Sequence, residues 1–367
     1  MTTNAITRTM RRAPVGVAVL TVGVLTLAAC GSDGEPDPGS TDGAVSGELR
    51  TFTYSDTVAD DKMELFRDAY PDVEVRTATF ESNDEAAAKI KAGFRTDVVE
   101  VCLDEQGPLV EAGMLAPIDT SRLEHWDDLD PTFRDAAGVT TEGDVTMVPT
   151  QAGAVGIIYD KDEFPDGVDS WSTLFDPAYS GRTAMDGGYW LTPFAIMALA
   201  SGNDDPMNLD DDQVAEARDQ LIALRDDNHF RAFARSDADM GNMFKSGEIV
   251  ISDGGRATSQ DIIKGGGNVG WAAPEEGVLS WVCGLSISAD AENVDAAYAL
   301  INDHSSPETQ ARFGNNGFVM INPEAVPLVD EEFVESADPR ILVGAHAEVA
   351  PANADLWREY WQEVRAG

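Results

Sequence analysis

Short apolar runs and stretches of helical period alternate along most of the chain. Residues 49–54, Leu-Arg-Thr-Phe-Thr-Tyr, form a short β run and predict a strand. Helical spacing follows over 58–69 and stops at Tyr70-Pro71, because the residue before a proline is driven out of the helical region. Residues 73–75 resume a strand, 84–92 read as a helix, and 97–101 predict a third strand. Further on come a glycine-punctuated apolar run at 148–159, a helix at 213–225 and a strand at 248–252. Asn293 is placed to cap a helix running to 301, and Ser306-Pro307-Glu308 opens another with proline at its first position. Alternation of this kind predicts an α/β chain with a parallel sheet covered by helices. In the tail, 355–364 sets Leu356, Trp357, Tyr360, Trp361 and Val364 on one face, a stripe expected to pack on its own domain.

The first thirty residues have a different character. Arg8, Arg11 and Arg12 precede an uncharged stretch, 13–29, that ends Leu27-Ala28-Ala29-Cys30 before Gly31-Ser32-Asp33. Small residues ahead of that cysteine resemble the bacterial lipobox, which implies lipidation of Cys30 and loss of the segment before it. The apolar stretch is short for a spanning helix. Residues 31–47, rich in Gly, Ser, Asp, Pro and Thr, have almost nothing to bury and are expected to form a flexible tether.

Composition narrows the function. Of 367 residues, 43% are hydrophobic, enough for a core and for two domains of ordinary size. Sixty-six acidic against 25 basic residues give a formal net charge of -41, which repels nucleic acid and anionic membrane surfaces. The carboxylates are scattered in runs such as Asp127-Asp128 and Asp210-Asp211-Asp212, as on a solvated surface; the functional counterpart is attraction for cationic solutes. His125, His229, His304 and His346 are far apart and form no two-histidine metal motif. No Gly-x-Ser-x-Gly elbow occurs, and Lys264-Gly265-Gly266-Gly267 lacks the setting of a phosphate loop. No catalytic residue, metal or cofactor is therefore predicted. Paired carboxylates leave a secreted hydrolase as a rival reading.

Several spaced motifs carry a resemblance: Gly113-Met114-Leu115-Ala116-Pro117-Ile118-Asp119, Val148-Pro149, Tyr159-Asp160, Gly247-Glu248-Ile249, the stretch 296–302 and, most specific, 171–181, reading Trp-Ser-Thr-Leu-Phe-Asp-Pro-Ala-Tyr-Ser-Gly. In this order they resemble the extracellular solute-binding proteins of bacterial ABC importers, of the spermidine/putrescine type. The resemblance implies a two-lobed periplasmic-binding-protein fold, the Venus flytrap, with discontinuous lobes: 48–154 with 281–330, and 155–280 with 331–367. It implies a small solute in the cleft between them, ABC permease subunits as partners, a monomer, and a place on the outer face of the cell membrane, held by the lipid alone. Binding of the same kind within a sensor or adhesin shares the fold without the permease.

The resemblance also implies the contacts. Tyr54 falls where the family places an aromatic against the ligand's carbon chain, Asp104 follows the third strand, and Asp186, Tyr189 and Trp190 open a helix of the second lobe. Asp253 ends a strand, while Trp281 and Phe318 line the return. A polyamine needs aromatic walls for its methylenes and carboxylates for its ammonium ends. Two departures matter. Cys283 stands where polyamine binders carry an acid, and Gly187, Gly188, Tyr189 and Trp190 replace a second one. With Arg256 close by, an amino acid or small carboxylate is the alternative solute. The resemblance sets Cys102 and Cys283 at one cleft wall, where an exported chain can form a disulfide.

Overall fold

The computed structural model describes residues 45–366 apart from 81, 82, 142 and 343. The expected leader, Cys30 and the tether as far as 44 lie outside the described residues. The first half of the chain runs β1 (Gly47–Thr53), α1 (Asp60–Ala69), β2 (Val73–Thr79), α2 (Asn83–Lys91), β3 (Val98–Cys102) and α3 (Gly107–Glu111). A short α4 (Pro131–Arg134) and the two-residue strands β4 (Thr140–Thr141) and β5 (Asp144–Val145) lead into the long β6 (Val148–Asp160). Then follow β7 (Thr183–Asp186), α5 (Thr192–Ala200), α6 (Asp211–Asp226), β8 (Phe230–Ala234), α7 (Asp237–Ser246), β9 (Ile251–Gly255), α8 (Arg256–Lys264) and β10 (Val269–Ala272). The return is β11 (Leu279–Ile287), α9 (Val294–Ser305), α10 (Pro307–Gly314), α11 (Val334–Ala337), β12 (His346–Ala347) and α12 (Ala354–Arg365).

Two strand boundaries differ from the sequence reading. β1 starts at Gly47, the last residue expected of the tether. The strand expected at 248–252 begins at Ile251, because α7 ends on Gly247 in the left-handed region, φ 72°, and Glu248 N–H folds back onto the Met243 carbonyl. The helix caps are as read: Asn293 accepts from Ala296 N–H and Ser306 from Thr309 N–H.

The strands order β2-β1-β3-β11-β6-β9-β7-β8, with β10 beside β6 and β12 beside β11. β1 pairs in parallel with β2 and β3, β7 with β8 and β9, and β11 with β12, while β11 runs antiparallel to β3 and β6, and β6 antiparallel to β9 and β10. Every residue of β3 is buried, as expected of a central strand flanked on both sides. One core gathers Leu49, Phe52, Phe66, Val99, Leu285 and Ile301; a second gathers Trp171, Phe194, Leu221, Trp357 and Trp361. The stripe on α12 thus packs inside its own chain. β6 serves both cores, giving Val148 and Ala152 to the first and Ile157 to the second. β11 does likewise, with Leu279 in the second and Val282 in the first, and Val349 touches both. Among the described residues, the chain thus passes from one core to the other at three places, in β6, in β11 and at Val349. Phe333 and Ala337, within the stretch read as second lobe, pack on Ala311 and Met320 of the α10 region.

Asp97, just ahead of β3, fastens the first lobe. It accepts from Arg50 N–H and from the Arg50 guanidinium, and also from the backbone N–H groups of Glu292 and Asn293. Burial pushes this carboxyl up, but the Arg50 bonds and the backbone donors outweigh it and hold it at about 2.

Candidate functional site

The carboxyl ends of the parallel strands converge between the two cores, where open α/β sheets place ligands. Tyr54 and Asp56 follow β1, Asp104 and Glu105 follow β3, Asp186 ends β7, Asp237 follows β8, and Asp253 lies in β9. Asp253 sits in the middle of β9 rather than at its end, where the sequence reading puts it; the others sit at or just past strand ends, so the sheet behind them aims their side chains.

Acids dominate. Asp104 is buried and receives the Tyr189 hydroxyl from the other lobe. Asp186 accepts from Gly188 N–H at 2.8 Å, closing a local turn; the helix expected to open there, α5, starts only at Thr192, with no side-chain cap. The backbone N–H of Asp186 donates to Asp253 Oδ1 at 2.8 Å, while Asp253 Oδ2 is buried without a hydrogen-bond partner. A fourth acid, Glu348, enters from the third crossing: its N–H donates to the Ser280 carbonyl and its carboxylate accepts from Thr192 Oγ1 at 2.8 Å. The sequence reading missed it, since a lone Glu after a two-residue strand carries no motif.

These groups act on one another. Burial pushes Asp104 up to about 7, and Glu105 adds to the shift. Burial and then Asp186 bring Asp253 to about 7, and burial brings Asp186 to about 6. Burial takes Glu348 to about 8, opposed by the Thr192 hydroxyl and reinforced by Asp104, Asp186 and Asp253. Four desolvated carboxylates sharing one region call for protons or for a cation.

A second polar cluster lies beneath Tyr54. Glu100 accepts from Tyr54 N–H at 3.0 Å, from Thr57 Oγ1 at 2.6 Å and from Gln151 Nε2 at 3.1 Å. Burial and then the neighbouring Asp56 raise it to about 8. This cluster holds the turn that presents the Tyr54 ring, whose hydroxyl is itself raised by burial and then by Glu100.

The aromatic walls are uneven. Trp281 is half-buried and meets Phe318 edge-on, ring centroids 5.9 Å apart; Phe318 leans in turn on Phe313. Trp190 differs from the expectation of a cleft aromatic. Its ring is buried with the second core, edge-on to Trp357, and one face is covered by the Arg358 guanidinium at 4.3 Å. Its neighbour Tyr189 still meets it at a tilt, ring centroids 6.0 Å apart, while the Tyr189 hydroxyl goes to Asp104. Arg256, the cation noted near the cleft, lies over Trp271 at 5.3 Å, with Glu335 as the charge acting on it. Cys102 and Cys283 face each other across β3 and β11 and are joined as a disulfide. Among the described residues, no group of three or more His, Cys, Asp or Glu is arranged to hold a metal ion.

Known proteins share this organisation. The family model described as "Bacterial extracellular solute-binding protein" matches residues 63–339. A putrescine/agmatine-binding protein of Pseudomonas aeruginosa is 27% identical over 317 residues, covering 79% of this chain and 84% of its own length. The putrescine-binding periplasmic protein PotF of Escherichia coli is 25% identical over 343 residues, covering 87% and 91%. Among solved structures, the spermidine/putrescine ABC transporter substrate-binding protein PotD of Streptococcus pneumoniae superposes with a TM-score of 0.74 at 21% identity, over 87% of this chain and 97% of that one. The Tp0655 lipoprotein of Treponema pallidum does so with 0.76 at 19% identity, over 88% and 100%. The fold is therefore the two-lobed periplasmic-binding-protein fold.

Proposed function

Because the chain belongs to the bacterial extracellular solute-binding proteins, which serve ABC importers without catalysing a reaction, we propose that it captures a polyamine, putrescine or spermidine, and delivers it to the permease subunits. One observation carries this reading: Asp104, Asp186, Asp253 and Glu348 converge, desolvated, at the strand ends between the lobes. Ammonium groups neutralise such a cluster, and the methylenes between them need the aromatic surface that Tyr54, Tyr189, Trp281 and Phe318 supply. Names of the sequence relatives point the same way. In this reading the acid absent at Cys283 is replaced by Glu348, which reaches the site from another segment. Residues 48–154 with 281–348 form the first lobe, and 155–280 with 349–367 form the second, since 331–348 packs with the first core and the α10 region. The lipobox-like stretch supports a lipid on Cys30, which holds a monomer on the outer face of the membrane.

Titration calorimetry with putrescine, spermidine, glutamate and γ-aminobutyrate tests the solute. Either polyamine should bind, and Asp186→Ala with Asp253→Ala should weaken it by at least about a hundredfold, since a buried ammonium loses its counter-charge. Unchanged binding in the double variant, or binding of glutamate alone, overturns the cationic reading. Fatty-acid labelling that persists in Cys30→Ser overturns the anchor.

A further inference from the structure

One cation already sits at the acidic site. Arg358 projects from α12, which Trp357 and Trp361 bury in the second core. Its guanidinium reaches Glu105 Oε1 of the first lobe at 2.7 Å and covers Trp190 at 4.3 Å. Glu105 is almost wholly buried and follows Asp104 directly, and Arg358 is close enough to lower Asp104. The dipeptides Asp104-Glu105 and Tyr189-Trp190 thus meet at two points, Tyr189 on Asp104 and the Arg358–Trp190 stack on Glu105.

We propose that Arg358 closes this end of the cleft and restricts it to short diamines. The inference rests on the polyamine reading and deepens it. Glu105 is a further desolvated carboxylate on the same loop as Asp104, and its pairing with Arg358 withholds its charge from the third ammonium of a longer amine. With Arg358 in place that charge is spent inside the protein, and a triamine extending past Asp104 meets a guanidinium of its own sign at short range. Selection against the longer amine then comes from an unfavourable contact rather than from a better fit to the shorter one. The guanidinium cannot step aside cheaply. Its helix is anchored by two buried tryptophans, and its planar face is already stacked on Trp190.

Calorimetry with putrescine and spermidine on the wild type, Arg358→Ala and the pair Arg358→Ala with Glu105→Gln reads this directly. The wild type should prefer putrescine. Arg358→Ala should shift the ratio of the two Kd values toward spermidine by about tenfold, and the added Glu105→Gln should cancel the shift. Arg358→Gln, which keeps length and packing while removing the charge, should move the ratio in the same direction if the alanine variant folds poorly. A ratio unmoved in folded Arg358→Ala or Arg358→Gln overturns the inference alone. A wild type that binds neither amine overturns the polyamine reading, and this inference with it.

Discussion

The indole of Trp281 lies directly over Gly153, its partner across β11 and β6: a Cβ at that glycine would stand 2.3 Å from the ring. A contact that short forces the indole to move. Gly153→Ala should therefore tilt Trp281 away from the cleft, weaken polyamine binding by about tenfold or more, and cost about 1–3 kcal/mol of stability. Tryptophan fluorescence with calorimetry checks it. Unchanged affinity would remove Trp281 from the binding surface.

The buried acids make both stability and binding depend on pH. Asp104, Asp186, Asp253 and Glu348 have folded values of about 6 to 8, above the ordinary carboxylate range near 4. Between about pH 4 and 8 the folded protein therefore holds more protons than the unfolded chain, so stability without ligand falls as pH rises. A bound polyamine displaces those protons, and its affinity should rise over pH 5–8, by up to about tenfold per unit for each proton released. Melting curves and calorimetry across that range decide the matter; a pH-independent Kd would mean that the cation does not meet these groups.

Asp97 has the opposite sign. Its folded value of about 2 lies below the unfolded one, so its contribution is present above about pH 4 and is lost as pH falls toward 2. Asp97→Asn should cost about 3 kcal/mol at neutral pH, because the Arg50 guanidinium and three backbone donors lose their anion. It should also flatten acid denaturation between pH 4 and 2. Denaturant titrations at both ends of the range measure this.

Cys102 and Cys283 are 181 residues apart in sequence. Thiol counting on denatured, unreduced protein lacking Cys30 should find no free thiol, and two after reduction. Replacing both by alanine should cost about 4–5 kcal/mol on the loop-entropy account. Two free thiols before reduction would show that the pair is not oxidised.

The strands and caps that rest on local chemistry were legible in the sequence. Asn293 and Ser306 cap because their side chains reach N–H groups two or three residues away, a relation that spacing alone encodes. The stripe on α12 was legible for the same reason. Tyr54, Asp104 and Asp186, picked out through the resemblance, do lie at or just past the ends of β1, β3 and β7, whereas Asp253 lies inside β9. Glu348, the burial of Trp190 and the ion pair from Arg358 to Glu105 were not legible, since each depends on which distant segments meet. The start of β9 was misplaced because Gly247 turns the chain back for three residues before the strand begins.

Because β11 stands between β3 and β6, the first lobe's sheet lacks its middle strand until residues 279–287 exist. Synthesis at about 5–20 residues per second leaves the free edge of β3 waiting roughly 10–40 s for its partner. During that interval most of the second lobe is made, and the nascent first lobe exposes an apolar edge open to wrong pairing. A chain arranged in this way suits a route that keeps it unfolded until its last strands have been delivered, so that both lobes close together around the two strands they share.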